Sequence, residues 1–432
     1  MKLAGALFIY ALTTIFFHEG NMNEVTGALK RQFHFFGLLM LFAFVPISAS
    51  MIHQLLKFLA IVAVIQLPVS LYQRFMLVPL VEGLERPGFV ALDIVVGTFE
   101  GTPTGGGASA VMAMYLVLAG VGLICAVKEK LISRKSFWAL FIFSMAPLGL
   151  GETKIVLFLI PLALLGAFGD SVGKRPVMFI GGAILTAMVT AVLVYVYFLV
   201  QVDGREMTFT ERLDETLAYN VGESSYYETG VNRMTAIPYW VESHHLSDPA
   251  RPIFGYGIGA AFGGDGRSPV RGYTYDAHSG MFIDLVAASS LLWDYGVIGM
   301  FLWLAVLFAA WLACSRALKS ATSPLDRTLC RLLNASLAVS FLMLIYSSSV
   351  LVFPTHTMLY WLTLALVAWR LRHGPIDSDQ VPTPQVSAQP AMTNYAQQVL
   401  REEPVFQPVN PGMPERQEPT LSLPSSGWGA TS

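Results

Sequence analysis

The sequence predicts an all-α polytopic membrane protein, with about ten transmembrane helices and a large, partly helical extracytoplasmic loop. Three observations carry this expectation. Hydrophobic residues make up 54% of the 432 residues and charged residues only 13%, with a mean hydropathy of +0.57. Apolar segments of about 12–24 residues recur along the chain, and a helix needs roughly 20 to cross the bilayer core. Lys and Arg gather in short connections, as they do in cytoplasmic loops.

The candidate spans, in order, are Leu3–Phe17, Phe33–Ser48, Leu55–Tyr72, Ala108–Val127, Phe137–Leu148, Ile155–Gly169, Val177–Val200, Val297–Cys314, Leu333–Val352 and Met358–Leu371. Lys2 ahead of Leu3–Phe17 imitates a signal peptide. The following "FFHEGNMNE" lacks a small-residue cleavage pattern, so this segment reads as an uncleaved first span. Four basic stretches fall on one side: Lys128–Lys135, Gly173–Arg175, Arg316–Arg331 and the Arg370/Arg372 flank. That side is the cytoplasm by the positive-inside rule, and both termini then lie there. Lys30 and Arg31 break the rule. Either the first two spans are misassigned or the chain is a shortened version of something longer.

The run Phe137–Gly169 carries only two charges, Glu152 and Lys154. As one helix its length would be about 50 Å, too long for a comfortable crossing. Pro147, Gly149 and Gly151 break it into two short helices. The tip bearing Glu152 and Lys154 then points to the outer membrane–water boundary.

Two outer segments are large, 73–107 and 201–282. Within the second, Thr208 to Glu211 forms a capping-box pattern that opens a surface helix. "VNRMTAIPYWVESHHL" reads as another helix, bent by Pro238. The cytoplasmic loops are too short to build a soluble nucleotide-binding domain. The membrane domain covers 1–372. The remainder, 373–432, holds ten of the 24 prolines and no apolar periodicity, which predicts a disordered cytoplasmic tail.

Several residues can carry chemistry. Gln201–Ala277 contains six arginines, eleven acids and no lysine. Arginine offers a planar, permanent cation suited to phosphate oxygens, and equally to surface ion pairs. Lys154 at the mouth of a broken hairpin either pairs with Glu152 or faces an anionic headgroup. His278 stands where a polar loop re-enters the membrane, with Asp276 placed to orient it for proton exchange. His244 and His245 are adjacent, share no helix face and have no complementary ligands nearby, so no metal is expected. "GTFEGTPTGGG" and "FGYGIG" either turn the chain or bring backbone N–H groups to a phosphate. Cys125, Cys314 and Cys330 have no metal-binding spacing and read as packing residues.

"ETK" at the outer tip, "NRMTAIPYW" before "PIFGYGIG", and "AHSGMFIDLVAASSLLWDYGVIG" leading into a late span occur together. Over about Leu55–Leu371 the chain resembles the O-antigen ligase and O-antigen polymerase family of bacterial envelope glycan assembly. The late helix has that family's Gly-x-x-Gly break, here Gly296 and Gly299. Lys154 stands where the family usually has arginine, Ser279 where it usually has asparagine. Arg233 matches the family arginine before the aromatic residue, and Arg271 matches loosely.

The resemblance implies a GT-C-like, metal-independent glycosyltransferase of the bacterial inner membrane, working on the periplasmic face without a cofactor. Its donor would be a polyprenyl-diphosphate-linked oligosaccharide, its acceptor a glycan or another lipid-linked sugar. Membrane lipid and other polysaccharide assembly proteins are further expected partners, and nucleic acid is not. Lys154, Arg233 and Arg271 would hold the departing diphosphate. His278, backed by Asp276, would act as general base or orient the acceptor, and Glu152 would support Lys154. A polysaccharide transporter or flippase and a non-catalytic assembly subunit are the competing expectations.

Overall fold

The structure is a computed structural model and describes residues 1–81, 91–100, 108–151, 154–172, 210–211, 214, 230–244, 248–264 and 270–376. Contacts divide the chain into a unit Met1–Val381 and a second, Pro382–Ser432, which lies outside the described residues. The expected span Val177–Val200, the expected tail, and nearly all of the "TFTERLDETLAYN" helix are also outside them.

Every regular element among the described residues is helical. Four helices are long and apolar enough to cross a membrane: Ala49–Val81 (α4), Ala108–Lys128 (α5), Ala287–Lys319 (α11) and Pro324–Tyr346 (α12). Lys2–Phe17 and Val156–Asp170 are shorter apolar helices.

The expected second span, Phe33–Ser48, is not one helix. After α1 (Lys2–Thr13) and a 3-10 turn, Thr14–Phe17, the chain forms α2 (Met22–Phe33) and α3 (Phe36–Phe44). α2 starts early because Asn21 and Glu24 make a capping box. The Asn21 side chain accepts from the Asn23 N–H at 2.9 Å, and Glu24 Oε1 accepts from the Asn21 N–H at 3.0 Å. Lys30 and Arg31 occupy its last turn, where the helix dipole favours cations. α3 has nine residues and rises about 14 Å, under half the bilayer core. The basic residues that broke the positive-inside rule thus belong to an amphipathic helix between apolar ones, not to a simple outer loop.

Ser48 caps α4, which runs beyond its expected end through a π-turn at Gln73–Leu77. Gln66 and Gln73 lie two turns apart on one face. Gln73 Oε1 accepts from the N–H groups of Val96 and Gly97 at 3.0 and 2.7 Å, and Gln66 Oε1 accepts from the Thr98 N–H at 2.7 Å. These two amides pin part of the outer segment 73–107 to the helix.

The run Phe137–Gly169 breaks where expected. α6 (Arg134–Met145) ends in a 3-10 turn, Ala146–Gly149, with Pro147 in its first positions. α7 (Val156–Val172) follows, and both helices pack against α5. α7 also packs along α12, and α11 packs on α12 and α14 (Pro354–His373). Trp303, Tyr360 and Trp361 fill the core there, with the Trp361 indole N–H donating to the Gln32 carbonyl at 2.8 Å.

The ends of four helices carry paired charges. Arg370 grips buried Asp326 with two hydrogen bonds, 2.6 and 2.8 Å, in a fork-on-fork geometry. Arg327 meets Glu129 at 2.7 Å, and Arg331 lies 3.5 Å from Asp170. The last residues of α5, α7 and α14 therefore meet the first turns of α12. Three of the basic stretches read from the sequence contribute to this one end of the bundle.

α11 is broken by Gly296, whose backbone (φ 64°, ψ −169°) is not helical. A β-carbon there would lie 2.4 Å from the Ile253 carbonyl oxygen, so only glycine fits. The break frees the carbonyls of residues 293–295, which would otherwise bond four residues ahead. Trp293 O accepts from Tyr256 N–H at 2.8 Å, Asp294 O from Gly257 N–H at 2.9 Å, and Tyr295 O from the Tyr10 hydroxyl at 2.8 Å. The glycine-rich loop and the first helix are thereby seated in the kink.

Candidate functional site

The segment after Val231 folds over the Tyr346 end of α12, opposite the paired charges. The Asn232 side chain accepts from the N–H groups of Met234 and Thr235, at 2.8 and 2.9 Å, and starts the turn into α8 (Ala236–Ser243). This presents Arg233 to the last turn of α12. Arg233 Nε donates to the Tyr346 carbonyl at 2.9 Å, and its guanidinium lies 4.5 Å from the centre of the Tyr346 ring. Lys154 is exposed just ahead of Ile155, which packs in the same apolar cluster as Met343 and Tyr346. Arg233 and Lys154 thus occupy the same end of α12. Glu152 lies outside the described residues.

His278 follows α10 (Tyr273–Ala277) and is half-buried. Its Nδ1 is 2.8 Å from the Tyr239 hydroxyl, and its ring is 4.8 Å from that of Trp293. The sequence assigned its orientation to Asp276. That assignment is corrected here: Asp276 is exposed, and among the described residues the hydrogen-bond partner of His278 is Tyr239, brought in from α8. Burial, reinforced by nearby His244, lowers the pKa of His278 and keeps it neutral. His244, whose Nδ1 is 2.6 Å from the Trp240 carbonyl, also packs on Trp293 and is lowered by burial.

α9 (Ala250–Phe254) runs into "FGYGIG", whose amides turn toward α11. Besides the two that bond the freed carbonyls, Gly259 N–H donates to Asp294 Oδ2 at 3.0 Å and Ala261 N–H to Oδ1 at 2.8 Å. Asp294 is 3% exposed. A carboxylate buried in an apolar helix is tolerated because backbone amides satisfy it. These amides are committed to the protein itself, so this stretch is a fitted turn and not the phosphate cradle allowed by its sequence.

Beneath that loop is a narrow, partly open cleft lined by Arg31, Gln32, Phe262, Asp284, Asp294 and Leu351, among others. Leu351, in α13 (Ser349–Val352), follows the Tyr346 end of α12 by a few residues, which puts the cleft at the same end of the bundle as Arg233. Arg31 lies over the Phe262 ring, 3.5 Å from its centre. Asp284 Oδ2 accepts from the Gly263 N–H at 2.8 Å. Arg271, exposed, is near enough to Asp284 to act on its charge. It therefore joins the acids of the cleft, whereas Arg233 is held by Tyr346.

Sequence reasoning missed Arg31, Gln32, Tyr239, Asp284 and Asp294. Two of them left a trace. Arg31 violated the positive-inside rule, and Asp294 is an acid two residues before a helix-breaking glycine in an apolar run. No protein-family model matches this chain, and no curated protein matches it.

Proposed function

We propose that this chain is a glycosyltransferase of the bacterial inner membrane. It polymerises or ligates a polyprenyl-diphosphate-linked glycan on the periplasmic face, with both termini in the cytoplasm. The single observation that supports this most is the convergence at one end of α12. Lys154, Arg233, His278 and the Arg31 cleft come from stretches far apart in sequence, and all belong to the end opposite the paired charges.

The chemistry follows from those groups. An acceptor hydroxyl attacks the anomeric carbon of the donor sugar, and the lipid diphosphate leaves with the bonding electron pair. Negative charge grows on the diphosphate as the bond breaks. Lys154, Arg233 and Arg271 stabilise it as fixed cations. His278, held at Nδ1 by Tyr239, orients the acceptor through its other nitrogen. The lipid tail lies between helices at the bilayer edge.

Alanine at Lys154, Arg233 or His278 is expected to stop glycan elongation or transfer while the chain stays in the membrane at normal abundance. Normal product from all three variants would refute these roles. Deleting the gene separates the two acceptors. Loss of long chains with single repeats remaining indicates polymerisation, and long chains stranded on the carrier lipid indicate ligation. Movement of the lipid-linked donor across liposomes by the purified chain, with no transfer to acceptor, would replace this proposal by a flippase.

A further inference from the structure

The proposed reaction needs a group to take the acceptor's proton. Asp284 lies in the loop just ahead of α11, outside the membrane-spanning helices. Its carboxyl lines the cleft, which encloses a void of about 20 Å³, room for about one water-sized group such as a hydroxyl. One oxygen is fixed by the Gly263 N–H at 2.8 Å. Gly263 can approach because it has no β-carbon: one built there would lie 2.4 Å from the Tyr275 ring and 2.8 Å from Asp284 Oδ2. The other acid of the cleft, Asp294, has both oxygens bonded to backbone amides.

We infer that Asp284 is the proton acceptor for the sugar hydroxyl that attacks the donor, and that the cleft between Arg31 and Asp294 is the seat of that hydroxyl. This rests on the glycosyltransferase proposal above. The hydroxyl's O–H bond breaks and its proton passes to the Asp284 carboxylate. The freed oxygen pair forms the new C–O bond to the anomeric carbon. The bond from that carbon to the diphosphate oxygen breaks, and its pair leaves with the polyprenyl diphosphate. Arg31 supplies a fixed cation beside the developing alkoxide, and Gln32, bonded to Tyr295 and Asp294, holds the cleft wall in place.

The charged and titratable groups facing Asp284 are Arg31 from α2, Arg271 and Tyr275 from the loop and α10, and Asp294 from α11. Arg271 and the Gly263 amide favour its ionised form, and burial opposes them and wins, pushing its pKa up to about 6. The group is therefore ionised at neutral pH yet basic enough to accept a proton.

The test uses the full-length chain reconstituted with a lipid extract from its own gene-deletion strain, which supplies both donor and acceptor. Initial rates of glycan extension are followed from pH 5 to 8. Asp284→Asn keeps an acceptor for the Gly263 N–H. It is expected to lower the rate by about 10²–10⁴-fold and to abolish the acid limb near pH 6. Asp284→Glu, which keeps the acid but moves it, is expected to retain an acid limb at a shifted midpoint with a smaller loss. If Asp284→Asn keeps its rate within about threefold, or is slow but keeps the same limb, the inference is overturned and His278 becomes the base. Should Asp284→Asn not accumulate, an unmoved midpoint in Asp284→Glu overturns it equally. Failure of the wild-type chain to extend any glycan from that extract would instead remove the glycosyltransferase proposal, and this inference with it.

Discussion

The two ends of the helix bundle hold their acids differently. At one end, Asp326 and Arg370, Glu129 and Arg327, and Asp170 and Arg331 meet carboxylate to guanidinium. At the other, Asp294 is held by the amides of Gly259 and Ala261 and Asp284 by that of Gly263, while Arg31 and Arg233 lie over Phe262 and Tyr346 and the pairs of Arg251 with Glu19 and Asp248 lie at the exposed surface. A carboxylate neutralised by its own arginine is finished chemically. One held by amides keeps its charge. The first end neutralises its acids with arginine, and the second leaves Asp284 and Asp294 to backbone amides.

The comparison is broken most directly at Arg370. Arg370→Ala leaves Asp326, 0% exposed, without its partner and is expected to cost about 3–5 kcal/mol. Unfolding in detergent by denaturant measures it. Replacing both residues together, as Asp326→Leu with Arg370→Met, should recover most of the loss, because the desolvation of two charges is removed along with their attraction. Arg233→Ala should cost far less stability while abolishing transfer. Equal stability losses from Arg233→Ala and Arg370→Ala would erase the distinction between the ends.

A smaller effect is expected at the kink. Gly296→Ala imposes a positive φ on a residue with a side chain, costing about 1–3 kcal/mol of backbone strain, and its methyl meets the Ile253 carbonyl. The loop 253–261 should be displaced from α11. Faster cleavage of that loop by added protease, with the helices otherwise intact, would register it. An unchanged cleavage rate would mean that the freed carbonyls of residues 293–295 are not what seats the loop.

These residues also show where sequence reading succeeds. Hydropathy marks the long apolar helices, and Pro147, Gly149 and Gly151 mark the break in 137–169, because both are local properties of the chain; the break at Gly296 comes only with the family resemblance. The early start of α2 was local too: Asn21 and Glu24 form a capping box that was visible but read only as a failed cleavage site. Tyr239 beside His278 was not legible. Nearness in sequence points to Asp276 as its partner, whereas the contact depends on α8 folding back over Trp293. Asp284 was equally hidden. Nothing local separates it from any loop acid until Gly263 and Arg31 are brought alongside.

The smallest expected effect is on the pH dependence of stability, and it sharpens the contrast at the second end. His244 and His278 have pKa values lowered from the ordinary 6.5, chiefly by burial. Just below that value the unfolded chain binds more protons at these sites than the folded one. Their contribution is therefore complete above pH 6.5 and drains away as pH falls through the folded values. Asp284, raised to about 6, works oppositely. Its contribution is present below the ordinary 3.8 and is lost as pH rises through about 6. On acidification from pH 7 to 5 the histidines lose stability while Asp284 regains some. Relative to wild type, the change in melting temperature in detergent from pH 7 to pH 5 should be more negative for Asp284→Asn and less negative for His244→Asn with His278→Asn. An equal change for Asp284→Asn and wild type would mean that its carboxyl is ionised throughout this range, and that the amide of Gly263 and the charge of Arg271 outweigh its burial.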